Sequence, residues 1–338
     1  MTERAQDVAF SYVVPVYNEQ EGLEHFYKRL VSVAREIDED FEILFVNDGS
    51  TDETASILRR LASRDSHVRA VELSRNFGHQ VALTAGYDLA RGHAVVTLDG
   101  DCQHPPEVIP QMVARWREGF EVVYTVRQDT DGIGRLRRGI GRAVYRLIGL
   151  CTGADLTDRA DFRLLDRSVV EAVRSTREHA RFLRGLVSWV GFRQSEVRYT
   201  ADERARGNSR YTLRQLAGMA SAGVFNFSVL PLRMAAVCGG LGFAAAVLYA
   251  IVSLCLWPLG LAPPAAVHVV ALLIGLFGLQ FLFLGVLGEY LGRVFEEAKA
   301  RPLYFVRETV GFPAEAAETP LPPFRRRDED AAPINVFT

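Results

Sequence analysis

The sequence predicts an α/β protein, a doubly wound parallel sheet followed by a C-terminal pair of membrane-spanning helices. Three observations predict it. Apolar runs near residues 9–16, 42–47, 68–73, 94–99 and 121–126 alternate with helix-length stretches near 20–37, 52–64, 79–90 and 106–118, and that alternation builds βαβ units around a parallel sheet. Polar motifs fall at the ends of the runs, where the loops of such a sheet converge on a ligand. Residues 234–288 contain no Asp, Glu, Lys or Arg, which is the composition of a membrane segment.

Composition narrows the function. A net charge of −2 over 338 residues argues against a polyanion-binding protein as a whole, so no nucleic-acid partner is expected. Cys102, Cys151, Cys238 and Cys255 have no C-x-x-C spacing and suggest neither a disulfide framework nor a zinc site. The opening MTERAQD is polar and lacks an apolar signal core, so the first domain is expected on the cytosolic side.

The strand ends carry the chemistry. After the first run comes Pro15-Val16-Tyr17-Asn18-Glu19. Asn18 and Glu21 have capping-box spacing, which accounts for Asn18 but not for Glu19. After the second comes Asn47-Asp48-Gly49-Ser50-Thr51-Asp52, where Ser50 and Glu53 form another capping-box pair and leave Asp48 free to accept hydrogen bonds from a nucleobase or ribose. After the third, Ser74-Arg75-Asn76-Phe77-Gly78-His79 offers Arg75 to a diphosphate, an ordinary surface arginine being the alternative. After the fourth, VVTLDGDCQHPPE spaces Asp99, Asp101 and Gln103 at i, i+2 and i+4, on one face of an extended backbone. Their oxygens are hard ligands suited to Mg²⁺ or Mn²⁺. Two acids beside a turn are common, and this pair gains weight only from its neighbours.

Further on, Ile133, Leu136, Ile140, Val144, Leu147 and Ile148 fall within about a third of a helical wheel, opposite Arg135, Arg138, Arg142 and Arg146. This predicts an amphipathic helix over about 133–150, lying at an anionic bilayer interface or packed on the core. Asp161 sits in a strand-like run and reads equally as a site residue or as a structural acid among Arg159, Arg163 and Arg167. Residues 179–191 read as a helix and 192–200 as a final strand. The loop Arg204-Ala205-Arg206-Gly207-Asn208-Ser209-Arg210 can surround an anion.

Residues 234–257 and about 265–288 are each long enough to cross a bilayer. Basic residues flank the pair outside PLGLAPP, which is uncharged, so both ends are expected in the cytosol. The expected organisation is a catalytic domain over 1–210, a juxtamembrane amphipathic segment over 211–232, two transmembrane helices over 233–290, a cytosolic segment over 291–312 and a disordered tail over 313–338.

In order, VPVYNE, NDGSTDET, SRNFGHQVALTAG, LDGDCQHPP, DFRLLDR, RGNSRY and RPLYFVRE resemble the family-2 inverting glycosyltransferases of the GT-A fold, in the branch of dolichol-phosphate mannose synthase and bacterial polyprenyl-phosphate glycosyltransferases. Departures are small: Gly100 and Cys102 occupy non-ligand places, and Arg210 stands where many relatives have lysine. The resemblance implies a Rossmann-like GT-A domain that moves a hexose from a nucleotide-diphosphate sugar to a polyprenyl phosphate at the cytosolic face of a bacterial plasma membrane. UDP-glucose or a related UDP-hexose and undecaprenyl phosphate are the implied substrates, in a homo-oligomer. It assigns catalysis to Asp99, Asp101 and Asp161, metal binding to Asp99, Asp101 and Gln103, and the donor nucleotide to Pro15, Tyr17, Glu19, Asp48, Arg75 and Asp99. Arg135, Arg138, Arg204, Ser209 and Arg210 are expected at phosphate or acceptor. Two rivals compete, a processive polysaccharide synthase and a nucleotide-sugar-binding membrane protein without turnover. Gln111, Arg115 and Trp116 only approximate the Q-x-x-R-W of the synthases.

Overall fold

The computed structural model describes residues 8–37, 39–128, 159–179, 181–200, 230–256, 258 and 264–312. The amphipathic stretch over 133–150, the basic loop with Arg204, Ser209 and Arg210, the segment 211–229 and the tail from 313 lie outside the described residues, as do Arg135 and Arg138.

Eight strands form one sheet: β1 (Phe10–Val16), β2 (Phe41–Asn47), β3 (Val68–Leu73), β4 (Ala94–Thr97), β5 (Val122–Gln128), β6 (Arg159–Asp166), β7 (Gln194–Thr200) and β8 (Val306–Val310). Their order is β7-β5-β6-β4-β1-β2-β3-β8. β1, β2 and β3 are buried almost throughout, as expected of parallel strands covered on both faces, where the sequence becomes a continuous apolar run. On one face lie α1 (Leu23–Glu36), α2 (Thr54–Arg64) and α4 (Ile109–Arg117), packed through Phe26, Leu30, Leu58 and Met112. On the other lie α3 (His79–Leu89), α5 (Arg167–Ser175) and α6 (Leu183–Trp189), packed through Leu83, Val170 and Leu186. Gly86 lets α3 press onto β1, because a Cβ there would come within 2.2 Å of Val13 Cγ1.

The sheet is mixed, not purely parallel. β6 runs antiparallel between β4 and β5, and β8 runs antiparallel beside β3. The strand at 194–200 is therefore not the last. α5, unread in the sequence, starts at Asp166, whose carboxylate accepts the Ser168 N–H at 2.9 Å, a normal N-cap. β4 also ends at Thr97, before the carboxylates.

α7 (Leu230–Leu256) and α8 (Ala265–Ala298) form the C-terminal helices. Both are long and apolar enough to cross a membrane. Large side chains such as Leu254 and Phe281, 67% and 70% exposed, have no protein cover. Gly242 sits where a Cβ would meet Leu279 Cδ2 at 2.9 Å, the close approach that small residues permit between such helices. With 34 residues, α8 extends about 51 Å, well beyond a hydrocarbon core of about 30 Å. Its last turns, with Glu289, Arg293, Glu296 and Glu297, are polar.

From α8 the chain returns to the α/β domain. Glu297 accepts the His179 N–H at 2.6 Å, and His179 Nε2 lies 2.8 Å from the Arg301 carbonyl. The Tyr304 hydroxyl donates to Asp88 at 2.9 Å, and the Ser74 N–H donates to the Phe305 carbonyl at 2.8 Å. β8 then completes the sheet, reinforced by Arg59 to Glu308 at 2.6 Å and Arg307 to Glu72 at 3.0 Å.

Candidate active site

The loops after β1, β2, β3 and β4 meet over a cleft of about 710 Å³ at the carboxyl ends of the strands. The capping boxes expected in the first two loops do not set the helix starts: the N-caps of α1 and α2 are Gly22 and Glu53, neither with a side-chain cap bond, and the Thr54 N–H at the start of α2 is accepted by Asp52 Oδ1 at 3.0 Å. The same polar residues instead join one loop to the other. Ser50 Oγ accepts the Asn18 N–H at 3.0 Å, Asn18 Oδ1 accepts the Thr51 N–H at 2.8 Å, and Thr54 Oγ1 accepts the Glu19 N–H at 3.0 Å. Gln20 Oε1 accepts the Glu53 N–H at 3.1 Å. These bonds satisfy backbone donors of the two loops themselves.

The third loop is tied in by Asp48. Its two carboxylate oxygens accept the N–H groups of Phe77 and Gly78 at 2.7 and 2.9 Å. The free carboxylate expected there is thus already engaged, though Asp48 does line the cleft. Burial pushes its carboxyl up, against the pull of those two donors. Gly49, at φ +67°, passes so close to the Arg75 backbone that a Cβ would lie 2.4 Å from the Arg75 carbonyl carbon. Arg75 itself lies over the Phe77 ring, 4.0 Å from its centre, and donates to the Asn76 carbonyl at 2.9 Å.

Asp99 and Asp101 reach the cleft by a different route from the expected extended strand. The backbone turns after β4, with Cys102 at φ +63°, so alternation does not place Asp99, Asp101 and Gln103. Gln103 donates twice to Asp101, from its backbone N–H at 3.1 Å and from its side-chain amide. The Asp99 N–H donates to His104 Nδ1 at 3.0 Å, and the His104 ring stacks on Phe162 at 5.2 Å. Glu19 lines the same cleft with Pro15, Tyr17, Asp99 and Asp101. Burial, together with the charges of Asp101, Asp52 and Asp99, pushes its carboxyl up to about 7. Among the described residues no three His, Cys, Asp or Glu side chains converge as a closed metal cage.

Asp161 comes from the antiparallel β6. Thr97, the last residue of β4, pairs with Arg163, and its hydroxyl donates to the Asp161 carbonyl at 2.7 Å. Arg184 reaches both Asp161 oxygens, at 2.9 and 3.3 Å, and Arg163 reaches one at 3.0 Å. His79 Nε2 lies 3.7 Å from both Asp99 and Asp161. Burial alone would raise the Asp161 carboxyl, but Arg184, His79 and Arg163 outweigh it and hold the group well below the usual range. Burial opposes charge on His79 too, yet Asp161 and Asp99 raise its imidazole. Of the three arginines near Asp161 in sequence, Arg163 is a partner, whereas Arg167 turns to Glu171 and the Ala90 carbonyl. The sequence pattern singles out neither Arg184 nor His79. His79 follows a glycine turn at a helix start, but Arg184 has no local signal.

The near-match to a synthase motif has a structural explanation. Trp116 donates from Nε1 to Asp166 at 2.9 Å, and Arg115 pairs with Glu118 at 2.9 Å, on a helix outside the cleft.

The profile described as Glycosyl transferase family 2 matches residues 11–173. A Bacillus subtilis protein, described as the uncharacterized glycosyltransferase YkcC, is 41% identical over 91% of this chain and 96% of its own length. The prophage bactoprenol glucosyl transferase homolog of Escherichia coli K12 is 37% identical over 88% of this chain and 98% of its own length. The crystal structure of Staphylococcus aureus TarS 1-349 in complex with UDP-GlcNAc aligns at 17% identity and a TM-score of 0.44, over 66% of this chain and 68% of that one.

Proposed function

The chain belongs to glycosyltransferase family 2, and on that premise we propose that it transfers a hexose from a nucleotide-diphosphate sugar to a polyprenyl phosphate at the cytosolic face of a bacterial plasma membrane. The bactoprenol glucosyl transferases among its relatives support a glucosyl group and a bactoprenol acceptor, and with them we take UDP-glucose as donor and undecaprenyl phosphate as acceptor. The observation that carries the reading is that one sheet holds both the acidic cleft and β8, the strand that follows two membrane-length helices. A chain that leaves and rejoins the same sheet crosses a bilayer an even number of times, and α7 and α8 supply two crossings. The acidic cleft then opens on the side where the sheet lies.

The donor set fits a divalent cation of the Mg²⁺ or Mn²⁺ type. Asp99 and Asp101 share the cleft with Glu19, whose carboxyl is raised first by burial and then by the charges of Asp101, Asp52 and Asp99, and a bound cation would relieve the repulsion among them. Two carboxylates, supported by Gln103, leave coordination positions for water and diphosphate oxygens, as Mg²⁺ prefers. When bound, the ion would stabilise the charge that develops on the leaving diphosphate.

The residues of the chain itself do the rest. Pro15, Tyr17 and Glu19 form the donor end of the cleft beside Asp48. The acceptor phosphate is mostly ionised at neutral pH, so its oxygen attacks the sugar C1 without losing a proton to the protein, and the C1–O bond to the nucleoside diphosphate breaks. Asp161, held ionised by Arg184 and Arg163, is a poor base and a fixed negative charge. It suits the positive charge that gathers on the sugar in the transition state. Single displacement inverts the anomeric centre.

The test is incubation of the full-length protein in lipid nanodiscs with undecaprenyl phosphate, Mg²⁺ or Mn²⁺, and a panel of labelled nucleotide sugars. We expect one donor to label an acid-labile, solvent-extractable lipid, and Asp101→Ala or chelation to abolish it. No labelled lipid with any donor would overturn the reaction, and full activity in Asp101→Ala would overturn the role given to that carboxylate.

A further inference from the structure

We propose that Arg181 receives the phosphate monoester of the lipid acceptor, a binding residue additional to the basic groups already named. The identity of that phosphate rests on the function proposed above.

Arg181 is 9% exposed and lines the cleft. Among the described residues, none of its three guanidinium nitrogens has a hydrogen-bond partner. Buried polar groups are nearly always paired, and a guanidinium, with five donors, is a costly group to leave otherwise. The acids around it do not fill the gap. Asp88 is held by both terminal nitrogens of Arg177, at 2.8 and 2.9 Å, and by the Tyr304 hydroxyl. Glu297 is held by His179. Glu178 is near enough to act on Arg181 through its charge, without a hydrogen bond. Burial, and then the like charge of Arg177, lower its guanidinium from its ordinary value, the direction expected of a cation that lacks its counterion.

Position selects the ligand. Arg184, three residues further on in the first turn of α6, is engaged with Asp161, which among the described residues lining the cleft leaves Arg181 without a partner. His179, two residues before it, is fastened to Glu297 and Arg301 at the end of α8. Arg181 therefore stands where the cleft adjoins the returning membrane helix. Tyr17, Glu19 and Asp48 come from the loops after β1 and β2. An anion arriving from the bilayer meets Arg181, and the planar fork of a guanidinium matches phosphate oxygens two at a time.

The experiment measures binding, with no turnover required, to the full-length protein in nanodiscs. The probes are farnesyl phosphate, farnesol, inorganic phosphate and UDP. The wild type should prefer farnesyl phosphate to farnesol, and inorganic phosphate should compete with the phosphate form. Loss of a charge-assisted pair predicts that Arg181→Gln weakens farnesyl phosphate about tenfold to a hundredfold and leaves farnesol and UDP unchanged. Unchanged affinity for farnesyl phosphate would overturn the proposal, and so would a loss confined to UDP, which would mark Arg181 as a donor group. Should Arg181→Gln not fold, Arg181→Lys decides: a loss confined to farnesyl phosphate supports the site, and equal affinity overturns it. Failure of the wild type to make any glycolipid would sink the proposed reaction without touching this measurement.

Discussion

Gly49→Ala tests whether the three loops after β1, β2 and β3 act as one unit. Gly49 has φ +67°, and placing alanine there costs about 1–2 kcal/mol. Its Cβ would also meet the Arg75 carbonyl carbon at 2.4 Å and the Asn76 nitrogen at 2.7 Å. Both contacts are to backbone, so the loop after β3 must move by roughly 1 Å to regain ordinary separation. That movement pulls the Phe77 and Gly78 N–H groups off the buried Asp48 carboxylate. An unsatisfied buried acceptor costs about 1–3 kcal/mol more. The sum is about 2–5 kcal/mol, which for a domain of this size lowers the melting temperature by about 5–15 °C. Thermal melting followed by tryptophan fluorescence, with the donor KM measured in parallel, gives the readout. A melting temperature within about 1 °C of wild type with an unaltered donor KM would show that the loops do not depend on that close approach.

Three further outcomes follow from the charges. Glu42 is buried in β2 and accepts from Ser11 Oγ at 2.6 Å and the Arg91 N–H at 2.8 Å, opposite Arg69 at 2.5 Å. Glu42→Gln strands the buried Arg69 and should cost about 3–5 kcal/mol in melting experiments, with kcat at low temperature preserved because this pair lies at the other end of the strands. Asp161 is held well below the usual carboxylate range, so its stabilisation is complete above about pH 4 and is lost as pH falls through its lowered value. Asp161→Asn should therefore be less stable at neutral pH and show a shallower acid decline below about pH 4, and an unaltered pH profile would contradict the pairing with Arg184 and Arg163. Glu19 has the opposite sign: raised from 4.5 to about 7, it favours the folded state in its protonated form, and that advantage is lost as pH rises between those values. Glu19→Gln should flatten the melting profile in that window in the absence of divalent ions, and a slope identical to wild type would refute the raised carboxyl that burial and the neighbouring acids impose.

The strands and helices of the first domain are legible because buried parallel strands such as FSYVVPV and FEILFVN are mostly apolar runs. Even so, the charge inside the second run, Glu42, had its partners Arg69 and Arg91 far along the chain, where no local pattern points to them. Asn18 and Ser50 looked like helix caps because capping chemistry and loop-to-loop pairing use the same short polar side chains. Only the fold shows that they bond to each other's loops. Asp99 and Asp101 were found for a reason that did not hold, since the backbone turns before Asp101, while the acidic residues do share the cleft. Arg184 and Arg181 were invisible: both come from a short helix region with no unusual composition, and their importance lies in what they face. β8 was missed because its sequence, VRETV, is a half-polar edge strand, where alternation is faint and one side faces water.

The position of β8 sets an order of events during synthesis. Until residues past α7 and α8 have left the ribosome, β3 has an open edge, with donors and acceptors that invite another chain. The two long apolar helices are therefore synthesised before the sheet can be completed. A gene cut at residue 229 should yield a product that self-associates, whereas adding the 301–312 segment back in trans should restore solubility by capping that edge.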